Sequence, residues 1–137
     1  MSQKIHIQAT VNVPTAKAWT LWTEPDHITN WNFASDDWRC PRAENDLRAG
    51  GRLLYRMEAV DGSFGFDFDA IYDEVVHEAR VAYTMSDGRQ VETTFEGLGD
   101  STRVSTTFDA EQENPAEMQR TGWQAILENF KSYAESL

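Results

Sequence analysis

From Asn114-Pro115 to the C-terminus, Met118, Gly122, Trp123, Ile126, Leu127, Phe130, Tyr133, Ala134 and Leu137 recur at three- and four-residue steps. That is the spacing of an amphipathic helix. Asn114 suits an N-cap and Pro115 a first helical turn, where a missing N–H costs nothing. At 1.5 Å per residue, about 22 residues make a rod of roughly 33 Å, enough to cross a whole sheet. No other segment of the chain carries a helical pattern of comparable length. Whatever the preceding residues build therefore has one principal cover.

What precedes it reads as strands. Residues 4–13 alternate strictly, with Ile5, Ile7, Ala9, Val11 and Val13 on one side and Lys4, His6, Gln8, Thr10 and Asn12 on the other, which predicts a half-buried strand ended by Pro14. Two short helices follow, over residues 15–22 and 25–31, the second opened by Pro25 and placing Ile28 and Trp31 on one face. Turn signals then recur at Asp61-Gly62, Asp87-Gly88 and Gly99-Asp100, of the kind that closes tight hairpins. Alternating segments lie around them at residues 52–60, 63–72, 80–85, 90–98 and 102–109, with a weaker one at 38–47 that Pro41 interrupts. About seven strands joined by short connections make an antiparallel sheet. The class is α+β, a curved antiparallel sheet with two short helices after its first strand and a long C-terminal helix over one face. One domain spans residues 1–137, since no linker, repeat or low-complexity tract divides the chain.

Strand phase decides what faces that helix. Leu53, Tyr55, Met57 and Ala59 share one side of their strand; Phe64, Phe66, Phe68, Ala70 and Tyr72 share one side of the next, with Asp67, Asp69 and Asp73 opposite. Val81, Tyr83 and Met85, then Val91, Thr93 and Phe95, then Val104, Thr106 and Phe108 continue the face. Two readings stand side by side. These side chains fill a core under the helix, as most such residues do, or some of them wall a cavity, apolar with a few placed hydroxyls. Trp31, Phe33 and Trp38 cluster around a loop at residues 32–37, where a cavity mouth is as natural as a core.

The charge excludes some functions. Twelve Lys and Arg stand against 23 Asp and Glu, a net charge of −11, which repels nucleic-acid backbones. A single Cys40 cannot form an internal bridge and suits a reducing compartment. The N-terminus lacks the apolar core of a secretory signal, and no apolar run would span a bilayer; a cytoplasmic protein is expected. Nucleophile elbows, Walker loops and dinucleotide fingerprints are absent, and His6, His27 and His77 show no ligand spacing. No cofactor or metal is expected. Acid–base work is conceivable only through a buried Tyr55 or Tyr83, or through Asp67 or Asp69 if the strand phase were reversed.

Several pieces in order carry a resemblance: Val13-Pro14 with Trp19, then Glu24-Pro25-Asp26-His27 and Trp31, then Asp46-Leu47-Arg48-Ala49-Gly50-Gly51-Arg52, then Thr102-Arg103 and Gly122-Trp123. In these the chain resembles the START-like helix-grip superfamily (SRPBCC), and within it the branch named after the activator of the heat-shock protein ninety ATPase. Asn32 stands where that branch usually carries a second aromatic, and Ala70 where it favours glycine. The resemblance implies a helix-grip fold with a hydrophobic cavity under the C-terminal helix. Relatives bind lipids, act on aromatic polyketides or assist a chaperone, and some dimerise, so a homodimer is compatible with it. The reading for this chain is a binder of a small hydrophobic or aromatic molecule. The expected contacts are Trp31, Phe33, Trp38, Tyr55, Met57, Phe66, Phe68, Tyr83, Phe95, Trp123 and Leu127. The alternatives are a protein-interaction domain of the chaperone-cofactor kind, docking through its acidic surface, and a polyketide-cyclase-like enzyme.

Overall fold

The computed structural model describes residues 3–137. Its elements run β1 (Lys4–Val11), α1 (Thr15–Thr23), α2 (Pro25–Ile28), β2 (Trp38–Asn45), β3 (Arg52–Ala59), β4 (Gly65–Val76), β5 (Arg80–Met85), β6 (Gln90–Gly97), β7 (Thr102–Asp109) and α3 (Ala116–Ser136). The seven strands form one antiparallel sheet in the order β1-β7-β6-β5-β4-β3-β2. Five of the six ladders are sequential neighbours; only β1 reaches across the chain, to β7. The α+β helix-grip architecture expected above is the one observed.

Alternation puts the apolar side of each strand on the concave face. Ile5, Val11, Leu53, Val81, Val91, Val104 and Phe108 are buried there, with Leu127, Phe130 and Ala134 of α3 against them. The helix also closes an edge. Arg120 donates to the His6 carbonyl at 2.6 Å, Gln124 to the Gln8 carbonyl at 3.3 Å, and the Glu135 carboxylate accepts from the Asn12 amide at 2.8 Å. Helix side chains thereby occupy backbone groups of β1 that an edge strand would offer to another chain. The other edge, β2, is broken by a bulge between Arg39 and Arg42, with Pro41 inside it; a proline on an edge removes a donor without costing a ladder bond. So Pro41 marks a protected edge rather than the end of the strand.

Several boundaries differ from the sequence reading. β4 runs on to Val76 because a bulge between Tyr72 and Glu74 flips the phase. Val75, not Glu74, then joins the apolar face opposite Val81. Phe64 lies before β4 and is 60% exposed, so it does not join the inward row. α2 ends at Ile28, although Trp31 and Asn32 both still donate to the Ile28 carbonyl. At the start of α3 the Asn114 side chain binds the Glu111 carboxylate instead of capping, and Pro115 takes the cap position.

The Arg-x-Gly-Gly segment has a plain steric cause. Gly50 sits at φ +84°, and a Cβ on Gly51 would lie 2.0 Å from the Asp46 carbonyl. Both glycines then bond Tyr72, Gly50 N–H to its carbonyl at 2.8 Å and Gly51 carbonyl to its N–H at 2.9 Å. Only glycine accepts that backbone and that approach together. Arg48 pairs with Asp46 at the surface.

Candidate functional site

The helix does not press flat on the sheet. Between the concave face of β3 to β6 and the N-terminal half of α3 lies a cavity of about 560 Å³, within the range of small-molecule sites. Its floor is Leu53, Tyr55 and Met57 of β3, Phe66, Phe68 and Tyr72 of β4, and Val81, Tyr83 and Met85 of β5; its roof is Met118, Gly122, Trp123, Ile126 and Leu127; Trp22 and Trp31 close one end. β5 pairs with β4 only from Ala70 onward, with one further bond from the Ser86 amide to the Asp69 carbonyl, so residues 65–68 have no strand neighbour on that side among the described residues. There the cavity opens, between Phe66, the β5–β6 turn at residues 86–89, and Glu111, Asn114 and Met118.

The room has identifiable sources. A Cβ on Gly122 would meet nothing within 4 Å, so the roof is recessed at that point. Beside it Trp123 stacks on Phe108 with centroids 3.9 Å apart and planes 11° from parallel, which turns the indole along the sheet rather than into the space. Phe68 stands at the centre, stacked on Tyr55 and edge-on to Tyr83 and Trp123 at 6.1–6.3 Å, in the offset and T-shaped arrangements aromatic rings prefer. Trp22 and Trp31 stack on each other, and both meet the Phe130 ring at 4.9 Å, so the closed end is rigid. Asn129 ties the Trp31 and Phe33 carbonyls to α3.

Polar groups in the interior are few and mostly bonded within the protein. Thr93 and Thr106 share a hydrogen bond of 2.8 Å. The Tyr72 hydroxyl donates to Asn45 at 2.6 Å, and the Asn45 amide donates to the Thr23 carbonyl at 2.7 Å. The Trp31 indole donates to the Leu21 carbonyl. Asn32 points its amide at two sulfurs, Met57 Sδ at 3.6 Å and Cys40 Sγ at 3.9 Å. Burial pushes the Tyr72 phenol up to about 12, and pushes Tyr55 and Tyr83 upward as well, Tyr72 adding a smaller push to both. All three stay protonated at neutral pH, so they donate hydrogen bonds rather than abstract protons. Asp67 and Asp69 point their carboxylates at Arg56 and Arg52 on the outer face, and the Arg52 guanidinium holds Asp69 below the usual carboxylate range. No ionised carboxylate beside the tyrosines is provided by them. A second depression, about 480 Å³ on the outer face, is lined by Glu74, Arg80 and Glu92, which already bind one another.

Of the residues expected to touch a ligand, Trp31, Tyr55, Met57, Phe66, Phe68, Tyr83, Trp123 and Leu127 line this one cavity. Three do not. Phe95 is buried under α1, edge-on to Trp19 and Trp22. Trp38 lies beyond the mouth, edge-on to Phe64 and Phe66 at 6.0–6.1 Å. Phe33 packs on the outside of the core in the loop that Asn129 holds. Among the lining residues that the sequence reading did not name is Arg89, which stands two residues before Val91 and so shares the phase of Val91, Thr93 and Phe95.

Comparison with known proteins agrees with this fold. Residues 12–135 match the family model described as "Activator of Hsp90 ATPase homolog 1-like protein". The AHSA1-like protein of Aeromonas hydrophila, solved by NMR, is 41% identical over 98% of this chain and 93% of its own, with a TM-score of 0.92. A protein of Cytophaga hutchinsonii, also solved in solution, is 47% identical over 97% and 92%, with a TM-score of 0.84. A crystal structure from Nitrosomonas europaea shares the fold at 18% identity, covering 97% and 94%, with a TM-score of 0.84. No curated protein matches the chain.

Proposed function

Since the chain belongs to the family of activator of Hsp90 ATPase homolog 1-like proteins, we propose that it uses the space beneath α3 to bind a small hydrophobic or aromatic molecule. The observation that carries this reading is the cavity itself, about 560 Å³ walled by aromatic and aliphatic side chains and open on one side. A protein core closes such a space, because every unfilled methyl-sized gap forfeits packing energy of roughly 1 kcal/mol. A ligand would gain about 25 cal/mol for each Å² of apolar surface it buries there. Native mass spectrometry of the purified protein, with displacement of a fluorescent dye by a panel of lipids and aromatic compounds, tests the reading. A retained small molecule or a displaceable site is expected; a bare protein mass together with no displaceable dye sinks it.

A second reading is favoured by one observation. Phe64, Phe66 and Val60 are 60%, 42% and 56% exposed in one patch with Trp38, and Asp37 lies beside it, its carbonyl bonded to the Val60 amide. An apolar patch rimmed by acid fits a protein partner of basic character. In that reading the chain acts as a chaperone cofactor. Stimulation of an Hsp90-type ATPase by the wild type, lost in Phe64→Ser and weakened by salt, would support it; an unchanged ATPase rate at saturating protein would end it.

A further inference from the structure

Resting on the cavity-binding reading above, we infer that the preferred ligands are apolar or aromatic carboxylates, oriented by Arg89 and Tyr83. Of the twelve Lys and Arg in the chain, Arg89 alone lines the cavity. The register puts it there. Met85 donates to the Arg89 carbonyl, and Tyr83 lies opposite Val91, two residues on and on the same face. Arg89 and Tyr83 are therefore diagonal neighbours, residues that stand roughly 7–8 Å apart in such a pair, within reach of one ligand group.

Both carry unspent donors. Arg89 uses its Nε on the Asp87 carboxylate at 2.8 Å, and its backbone N–H on the same carboxylate at 3.1 Å. Its two terminal amino groups have no hydrogen-bond partner among the described residues, and neither has the Tyr83 hydroxyl. The Arg89 side chain is 24% exposed, so most of it is withdrawn from water before any ligand arrives. The acids nearby do not compete for these groups: of those lining the cavity, Asp67 and Asp69 are paired with Arg56 and Arg52. Asp87 is held by Arg89 itself in the turn, Asp109 is taken by Lys4 and the Gln90 amide, and the Glu111 carboxylate by Asn114. The Tyr72 hydroxyl is spent on Asn45, and Thr93 and Thr106 bond each other, which leaves one uncharged donor between them. What remains at the mouth is a planar fork of cationic N–H groups beside a phenol, with an aromatic channel leading away. A carboxylate fits the fork with two parallel hydrogen bonds, which a hydroxyl or an amide cannot match in charge.

The test is a fluorescence titration with anthracene-2-carboxylate and its isosteric neutral relative, anthracene-2-carboxamide. Wild type is expected to bind the carboxylate at least about tenfold more tightly. Arg89→Gln should abolish that preference while leaving carboxamide affinity within about twofold, Arg89→Lys should restore part of it, and Tyr83→Phe should weaken the carboxylate alone. Thermal unfolding of each variant guards against a misfolded protein, and Asp87→Asn, which keeps the fork but frees its anchor, should retain a preference for the carboxylate. Equal binding of the two probes by wild type, or an unchanged preference in a folded Arg89→Gln, overturns the inference and leaves the cavity reading standing. No binding of either probe removes both.

Discussion

Asp109 ends β7 almost fully buried, 7% exposed, and two cations and a backbone amide act on its carboxylate. Lys4 donates to one oxygen at 2.6 Å and the Gln90 amide to the other at 2.9 Å. Those bonds hold its carboxyl below the usual range, with a smaller push from Arg89. The sign follows from proton linkage: the unfolded chain binds a proton more readily than the native one, so the stabilisation is fully present above about pH 4 and is lost as pH falls through the lower native value. Lys4 is 59% exposed at its side chain, which tempers its share of the effect. Asp109→Asn should cost about 1–2 kcal/mol at neutral pH, chiefly through the charge-assisted, part-buried bond from the Gln90 backbone amide. Urea unfolding at pH 7 and at about pH 3 checks it. The gap between variant and wild type should shrink in acid, and a gap that stays constant would mean that the carboxylate charge is not what β7 depends on.

The element that makes the cavity is α3, and a single glycine in it sets the room available. Gly122 faces the space with nothing near its missing Cβ, although glycine in a helix interior costs about 1 kcal/mol relative to alanine. Gly122→Ala should therefore stabilise the fold by about 0.5–1 kcal/mol with ligand binding reduced, and Gly122→Leu should block binding while the protein stays folded. Calorimetric unfolding and dye titration separate the two effects; a destabilised Gly122→Ala would show that the gap is not as open as it stands. How much of this was legible beforehand differs by element. The strand alternation located every strand, because a half-buried antiparallel strand must alternate, but it did not tell that β1 pairs with β7. The helical spacing of Gly122, Trp123, Ile126 and Leu127 located the roof for the same reason. Bulges left no such mark: the extra residue between Tyr72 and Glu74 reverses the phase only through pairing with β5. Phase also tells which face a side chain takes but not how far along that face the helix reaches. Hence Phe95 and Trp38, on the expected side, fall under α1 and past the mouth respectively. Arg89 was in phase with Val91 all along, but it stands in the Asp87-Gly88 turn, where a charge reads as solvated.

For the molecule as a whole, the question is whether its ion pairs or its net charge govern the response to salt. Apart from Lys17 and Arg42, every Lys and Arg sits against a carboxylate. Most of these pairs are at the surface, and such pairs contribute about 0–1 kcal/mol each before screening. Against them stands a net charge of −11 on 137 residues, whose self-repulsion acts on the compact state and relaxes on unfolding. The acids without an ion-pair partner among the described residues include Asp36, Asp37 and Asp61 near the exposed Phe64 patch and Glu111, Glu113 and Glu128 along α3 and its approach. Raising sodium chloride from about 10 mM to about 150 mM shortens the screening length from roughly 30 Å to roughly 8 Å. That distance spans the separation between unpaired acids but not the contact distance within a pair, so repulsion is screened more than attraction. The melting temperature should rise by about 2–5 °C in scanning calorimetry at neutral pH, a shift equivalent to about 1 kcal/mol or less for a chain of this size. A melting temperature that falls across the same range would place the balance with the ion pairs, and above all with the Arg52–Asp69 and Arg56–Glu58 contacts that brace the outer face behind the cavity floor.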